Sequence, residues 1–379
     1  MFKMSSITLS NSSIGAKHPC FIIAEAGVNH NGDLNLAKKM IDAAAQAGVD
    51  AVKFQYIRAN RLYVENAGIF RNQWNEEMDI YKVWKKTEMP SSWLPELSSY
   101  CQQNNLLFFT SVFDEKSVDE VDPYVSLYKI GSSELTHIPL LQKVAKTGKP
   151  IIFSIGGAEL TEVQEAVQAI KAEGNTQIGM LYCVVTYPAP LEEANVKAVK
   201  TLQQLFPDIV IGYSDHSFNP IQVPAAAVYQ GAKIIEKHFT LSRNLEGIDH
   251  KMSLEPSELK AMVEAIRTTE QDMKLGKEPR VSIDNKVFGK GDIKLTAEQN
   301  ELIQFVRRKI FSLKDIPEGE RFTSENSAVL RPGNRTKTVE LESSVPLHPR
   351  DYEQVLHSTA RKNIPALSIL CTEDITAAP

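Results

Sequence analysis

The chain has 379 residues, 42% hydrophobic and 23% charged, with a formal net charge of -5. That composition describes an ordinary soluble globular protein, long enough for one large domain and a small one. It excludes a basic nucleic-acid footprint, and no run of about 18 apolar residues offers a membrane span. The N-terminal residues lack a long apolar core after their lysine, and Cys20, Cys101, Cys183 and Cys371 are too widely spaced for a CxxC motif. Reduced thiols and a cytoplasmic location are the expectation.

In chain order, strand-like runs occur at 21–26 (FIIAEA), 50–55 (DAVKFQ), 105–110 (NLLFFT), 125–130 (VSLYKI), 149–154 (KPIIFS), 178–184 (IGMLYCV), 209–214 (IVIGYS) and 232–237 (AKIIEK). Amphipathic stretches lie between them, at Leu34–Ala47, Ser91–Gln103, Ile138–Ala145, Leu160–Ala172, Ala194–Leu205 and Pro220–Gln230, with apolar residues at three- and four-residue steps. Eight βα units in about 250 residues predict a TIM (β/α)8 barrel. A doubly wound sheet is the structural alternative, but no GxGxxG turn follows the first strand. The long loop Tyr56–Pro90 is expected to cover an active site. After a helix at Ser257–Leu275, a polar stretch with GKG at 289–291 reads as a linker. The expected division is a barrel at 1–280, a linker at 281–306 and a compact β-rich domain at 307–379.

Polar residues at the C-terminal ends of barrel strands converge on one face. His216 and His238 end the last two runs, and neighbouring strands lie about 4.8 Å apart, close enough for both imidazoles to reach one metal ion. Both could instead merely hydrogen-bond backbone at strand ends. Barrel closure puts Glu25 of the first strand beside His238. Lys53 and Lys129 pointing inward are costly to desolvate unless an anion meets them. With Ser132, Ser154 and Ser214 they form a cradle for a small, multiply charged anion such as a phospho-carboxylate. The bland alternative is pairing with a structural carboxylate, Glu25 or Glu134. His30, in NHNG, reads as a turn residue, and His250 and His348 as unassigned surface or loop residues.

These blocks, IAEAGVNHNGDL, AGVDAVKFQ, FFTSVFD, YKIGSSEL, GKPIIFSIGG, YPAP, IGYSDHS, IEKHFT and LRPGN, cover nearly the whole chain. Together they resemble the sialic acid synthase family, and most of all its spore-coat polysaccharide branch. The resemblance implies a C-terminal antifreeze-like (SAF) domain after the barrel, and manganese or magnesium on His216 and His238. It implies phosphoenolpyruvate on Lys53, Lys129, Ser132, Ser154 and Ser214, with Glu25 handling protons. An open-chain N-acyl amino sugar would lie against Gln55, Thr110, Tyr187, Glu236 and Asp249. Arg331, in LRPGN, matches an arginine that reaches the sugar from the partner subunit of a domain-swapped homodimer; by itself it reads as a surface arginine before a Pro-Gly turn.

The chain departs from the family pattern at Val185, where an asparagine is usual, at SVFD for SPFD and at SIGG for STGM. These changes leave the anion cradle intact but open the acceptor to a deoxy or diacetamido hexose, as in pseudaminic and legionaminic acid synthesis. A metal-dependent pyruvyl-sugar aldolase and a non-enzymatic carbohydrate-binding module are the rival readings.

Overall fold

A computed structural model describes residues 6–9, 12–71, 74–295, 297–334 and 345–376, without the side chains of 297 and 298. Eight parallel strands close into a barrel: β1 (Phe21–Gly27), β2 (Ala51–Tyr56), β3 (Leu107–Val112), β4 (Tyr128–Ile130), β5 (Ile151–Ser154), β6 (Ile178–Tyr182), β7 (Val210–Asp215) and β8 (Ile234–His238). Each strand pairs with its neighbour in sequence, and β8 returns to β1 through five register pairs that end at His238 opposite Glu25. The predicted runs coincide with these strands to within a few residues.

The surrounding helices form where the sequence supplies both a stripe and stop signals. Helix α1 (Leu34–Ala47) starts where the Asp33 carboxylate accepts hydrogen bonds from the amides of Asn35 and Leu36. It ends at Gly48, whose φ of 82° is left-handed. Ala37, Met40, Ile41, Ala44 and Ala47 face the barrel at helical spacing. The helix Pro256–Lys274 opens with proline in its first turn and a reciprocal cap between Glu255 and Glu258.

At the N-terminal end of the barrel a short hairpin, Ser6–Thr8 paired with Ser13–Gly15, buries Ile7 and Ile14 completely. Ile7 reaches the barrel floor, where its Cδ1 lies 3.2 Å from the position a Cβ would take on Gly179. The stretch expected as a linker is packed: Val287 is buried in the main core, and a helix at Ala297–Val306 sets Ile303 against Gly157.

The C-terminal residues build a separate apolar cluster around Ile310, Phe322, Val355 and Leu370. A second cluster, containing Val28, Tyr63, Phe113, Phe311 and Leu330, joins this unit to the barrel loops. Arg308 is buried at the junction, donating to the carbonyls of Arg61, Phe113 and Val329. Among the described residues no helix is long and apolar enough to cross a membrane, and the four cysteines are buried and unpaired.

Candidate active site

The C-terminal mouth of the barrel opens into a cavity of about 320 Å³. Its floor is ionic. Lys53 is 2.7 Å from Glu25 and 3.8 Å from Glu236, and donates to Ser111 Oγ at 3.0 Å. Lys129 donates to Ser154 Oγ at 2.8 Å and lies 3.7 Å from Glu236, whose Oε1 also accepts from Ser214 at 2.9 Å. Ser132, at the start of a short 3-10 turn after β4, completes this side of the floor. The five residues expected to form the cradle are therefore brought together, with the alternative partner Glu25 beside Lys53 and Glu236 near both lysines. Two carboxylates here keep an oxygen without a hydrogen bond, Oε2 of Glu25 and Oε2 of Glu236, the latter 3.8 Å from the Lys53 ammonium. Buried acceptors without partners are costly, which marks a place where a donor or cation is to be supplied.

Burial, only partly offset by Lys53, pushes the Glu25 carboxyl up from its ordinary value. Burial and the nearby Glu25 charge push Asp249 up to about 7. Gln55 donates to Glu25 at 2.8 Å. Gln55, Glu25 and Asp249 converge around Gly27, where an added Cβ would stand 3.5 Å from an atom of each.

His216 and His238 line the same cavity with ring centroids 5.7 Å apart. Metal–nitrogen bonds of about 2.1 Å allow two imidazoles on one ion to have centroids up to roughly 6.5 Å apart, so the pair fits a shared cation. Nδ1 of His216 lies 2.5 Å from the Val184 carbonyl, which as acceptor fixes the proton there and leaves Nε2 with a free lone pair. Nδ1 of His238 has no partner and stands 3.9 Å from Asp249. Burial lowers both imidazoles, His216 to about 4 and His238 well below the ordinary value, so both are neutral and able to ligate near neutral pH. Among the described residues no group of three or more His, Cys, Asp and Glu is arranged as a metal cage. Tyr187 stacks on His216 with centroids 4.0 Å apart.

The outer wall is apolar. Tyr63, Phe70 and Trp84 come from the 56–90 loop, which covers the site as expected, and Phe305 comes from the 297–306 helix. Val185 lines the wall as well.

Three placements differ from expectation. Thr110 is buried but does not line the cavity: it pairs in register with Phe54, while Gln55 pairs with Ser111. Because inward and outward positions alternate along a strand, Ser111 is the residue that faces Lys53. Arg331, expected from a partner subunit, enters the cavity from the chain's own C-terminal unit. Glu134 and Ser133 hold its guanidinium at 2.5 and 2.7 Å. His250, expected as an unassigned surface or loop residue, lies in the short 3-10 turn His250–Met252 but is fully buried, bonded to Thr240 and Asn31. His30 is a turn residue as expected, its Nδ1 accepting from the Gly32 amide, though its ring is buried against Trp93.

Sequence reading passed over Cys183 and the role of Glu134. Cys183 lines the cavity with its sulfur accepting from the Gly156 amide at 3.2 Å. Its only sequence signal was its place at the end of an apolar strand. Glu134, by sequence a candidate lysine partner, binds Arg331 and, at 3.4 Å, Arg308.

The fold is thus a closed parallel barrel whose C-terminal mouth gathers two lysines, several serines and an imidazole pair in one cavity. The chain belongs to the NeuB family, whose model matches residues 40–278. It is 42% identical to the spore coat polysaccharide biosynthesis protein SpsE of Bacillus subtilis, over 98% of each chain. The crystal structure of that protein superposes with a TM-score of 0.84, at 41% identity, covering 99% of this chain and 100% of the other. The N,N'-diacetyllegionaminic acid synthase of Campylobacter jejuni is 38% identical over 90% of this chain and 96% of its own.

Proposed function

We propose that this protein is a metal-dependent nonulosonate synthase that condenses phosphoenolpyruvate with an open-chain N-acyl amino sugar and releases phosphate. The observation that carries the reading is the meeting, in one cavity, of a two-lysine, serine-lined cradle and a pair of neutral imidazoles. Lys53 and Lys129, with Ser132, Ser154 and Ser214, hold the phosphate and carboxylate of the donor, joined by Ser111. A manganese or magnesium ion held by His216 and His238 would supply Lewis acidity toward the acceptor's aldehyde oxygen.

The π electrons of the donor's methylene carbon form the new bond to the aldehyde carbon, whose oxygen takes up a proton. Water adds to the resulting cation at the enol carbon and gives up its proton. Phosphate then leaves with cleavage of its C–O bond, taking up the proton that the new hydroxyl gives up, and a keto group remains. Glu25 is suited to carry these protons because its Oε2 has no partner and burial raises its affinity for one. Gln55, Tyr187, Glu236 and Asp249 stand where the acceptor's hydroxyls and amide would lie, and Arg331 closes the cavity above them.

The acceptor reading follows from charge and surface. Lys53, Lys129 and Arg331 are the cations lining the cavity among the described residues, and each already faces a carboxylate. With Lys53 and Lys129 assigned to the donor and Arg331 held by Glu134, the described residues offer no further cation for a second phosphate, and the apolar wall suits deoxy or acylated positions. This favours an unphosphorylated deoxy or diacetamido hexose over a sugar phosphate. An aldolase would have no use for a phosphate cradle. We read the C-terminal unit as antifreeze-like and the protein as a cytoplasmic homodimer.

The deciding experiment follows phosphate release from phosphoenolpyruvate with manganese across N-acetylmannosamine, its 6-phosphate, and deoxy and diacetamido hexoses. Release that requires both donor and an unphosphorylated amino sugar supports the reading. Cleavage of a pyruvyl sugar without any phosphate chemistry would overturn it.

A further inference from the structure

A fully buried ion pair lies directly behind the imidazole pair, on the other side of the barrel wall. Asp215 and Lys237 are each 1% exposed, and they are register partners at the end of the β7–β8 ladder. Alternation turns Ser214, His216, Glu236 and His238 toward the cavity and Asp215 and Lys237 toward the helix layer. The last ladder pair falls one residue short of His216, so the sheet itself does not fix that residue against β8.

What reaches past the end of the ladder is Lys237. Its ammonium lies 2.6 Å from Asp215 Oδ2 and donates to the Ser217 carbonyl. It also lies 3.3 Å from Ser217 Oγ and 3.4 Å from the Asn219 carbonyl. The other oxygen of Asp215 accepts from the Ser217 amide at 2.8 Å. One ammonium on β8 thus grips the turn that carries His216, and does so from the residue preceding His238. Buried ion pairs are weak stabilisers, since desolvation offsets most of the attraction, and an apolar pair of similar volume usually serves a fold as well. The hydrogen bonds to the 217 and 219 carbonyls are what an apolar pair could not supply.

We infer that Lys237, with Asp215, is a positioning residue that holds His216 and His238 at the separation needed to share one divalent cation. This rests on the metal-dependent reading above. It acts on cation affinity and leaves the lysine cradle untouched.

The test is titration of the metal-free protein with Mn²⁺, with free ion followed by electron paramagnetic resonance. Wild type, His216→Ala, Lys237→Met and the double variant Asp215→Asn/Lys237→Met are compared. The double variant removes the buried charge that Lys237→Met alone would strand, so that it retains the fold, checked by its melting temperature. The expected result is an Mn²⁺ dissociation constant raised about 10- to 100-fold in the double variant. Saturating Mn²⁺ should recover kcat, and KM for phosphoenolpyruvate should stay unchanged. Wild-type Mn²⁺ affinity in the folded double variant would overturn the positioning role alone. Wild-type protein that binds no Mn²⁺, or binds it equally well after His216→Ala, would overturn the metal site and this inference with it.

Discussion

The two ends of the barrel solve opposite problems. At the floor, Ile7 and Ile14 seal the strands with apolar side chains that have no exposed surface. At the mouth, Glu25, Lys53, Lys129 and Glu236 are also buried but charged, and two of the carboxylate oxygens make no hydrogen bond. Desolvating charge opposes folding, whereas burying methyl groups favours it. The floor therefore contributes stability that the mouth consumes, and substitutions at the two ends should separate stability from chemistry.

His238→Ala probes the mouth most severely. Turnover should fall at least about 10³-fold, the several kcal/mol that a Lewis acid contributes, while circular dichroism and melting stay close to wild type. Ile7→Ala probes the floor. It should cost about 2–5 kcal/mol in denaturant unfolding and leave KM for phosphoenolpyruvate unchanged. A floor variant that altered KM would mean that the two ends are coupled.

A finer cut contrasts adjacent residues on β3. Ser111→Ala removes a bond to a charged lysine and should lower kcat/KM for the donor by about 10- to 100-fold, equivalent to roughly 1.5–3 kcal/mol. Thr110→Val removes a buried hydroxyl that has no partner and should be neutral or slightly stabilising. Equal effects at both positions would contradict the register.

The smallest effect concerns acid. Arg331 and Arg308 hold the buried Glu134 carboxyl below its ordinary value despite desolvation. A group depressed in the folded state adds stability that is complete above its unfolded value, near 4.3, and fades as pH falls through the lower folded one. Acid unfolding of wild type should therefore steepen below about pH 4. Glu134→Gln should flatten that slope in a pH-dependent melting series.

The eight strands were legible because short apolar runs alternate with amphipathic stretches carrying caps such as Asp33 and Gly48. The clustering of Lys53, Lys129, the serines and the two histidines was legible because a barrel sends all its strand ends to one face. The inward phase of β3 was not: Leu106 to Val112 is nearly continuously apolar, and only pairing with β2 decides between Thr110 and Ser111. Nor was the burial of His250, whose partners Thr240 and Asn31 come from separate loops. Arg331 was found as a motif residue, but which barrel it would meet depends on packing by Tyr63, Phe113 and Leu330, far apart in the chain.

A single carboxylate in the barrel, Glu134, receives two guanidinium groups from the C-terminal unit. For anyone recombining parts between relatives, this sets a compatibility rule. A transplanted tail that carries both arginines needs a recipient with an acid at that position, and a recipient lacking it would strand two cations in a dry seam.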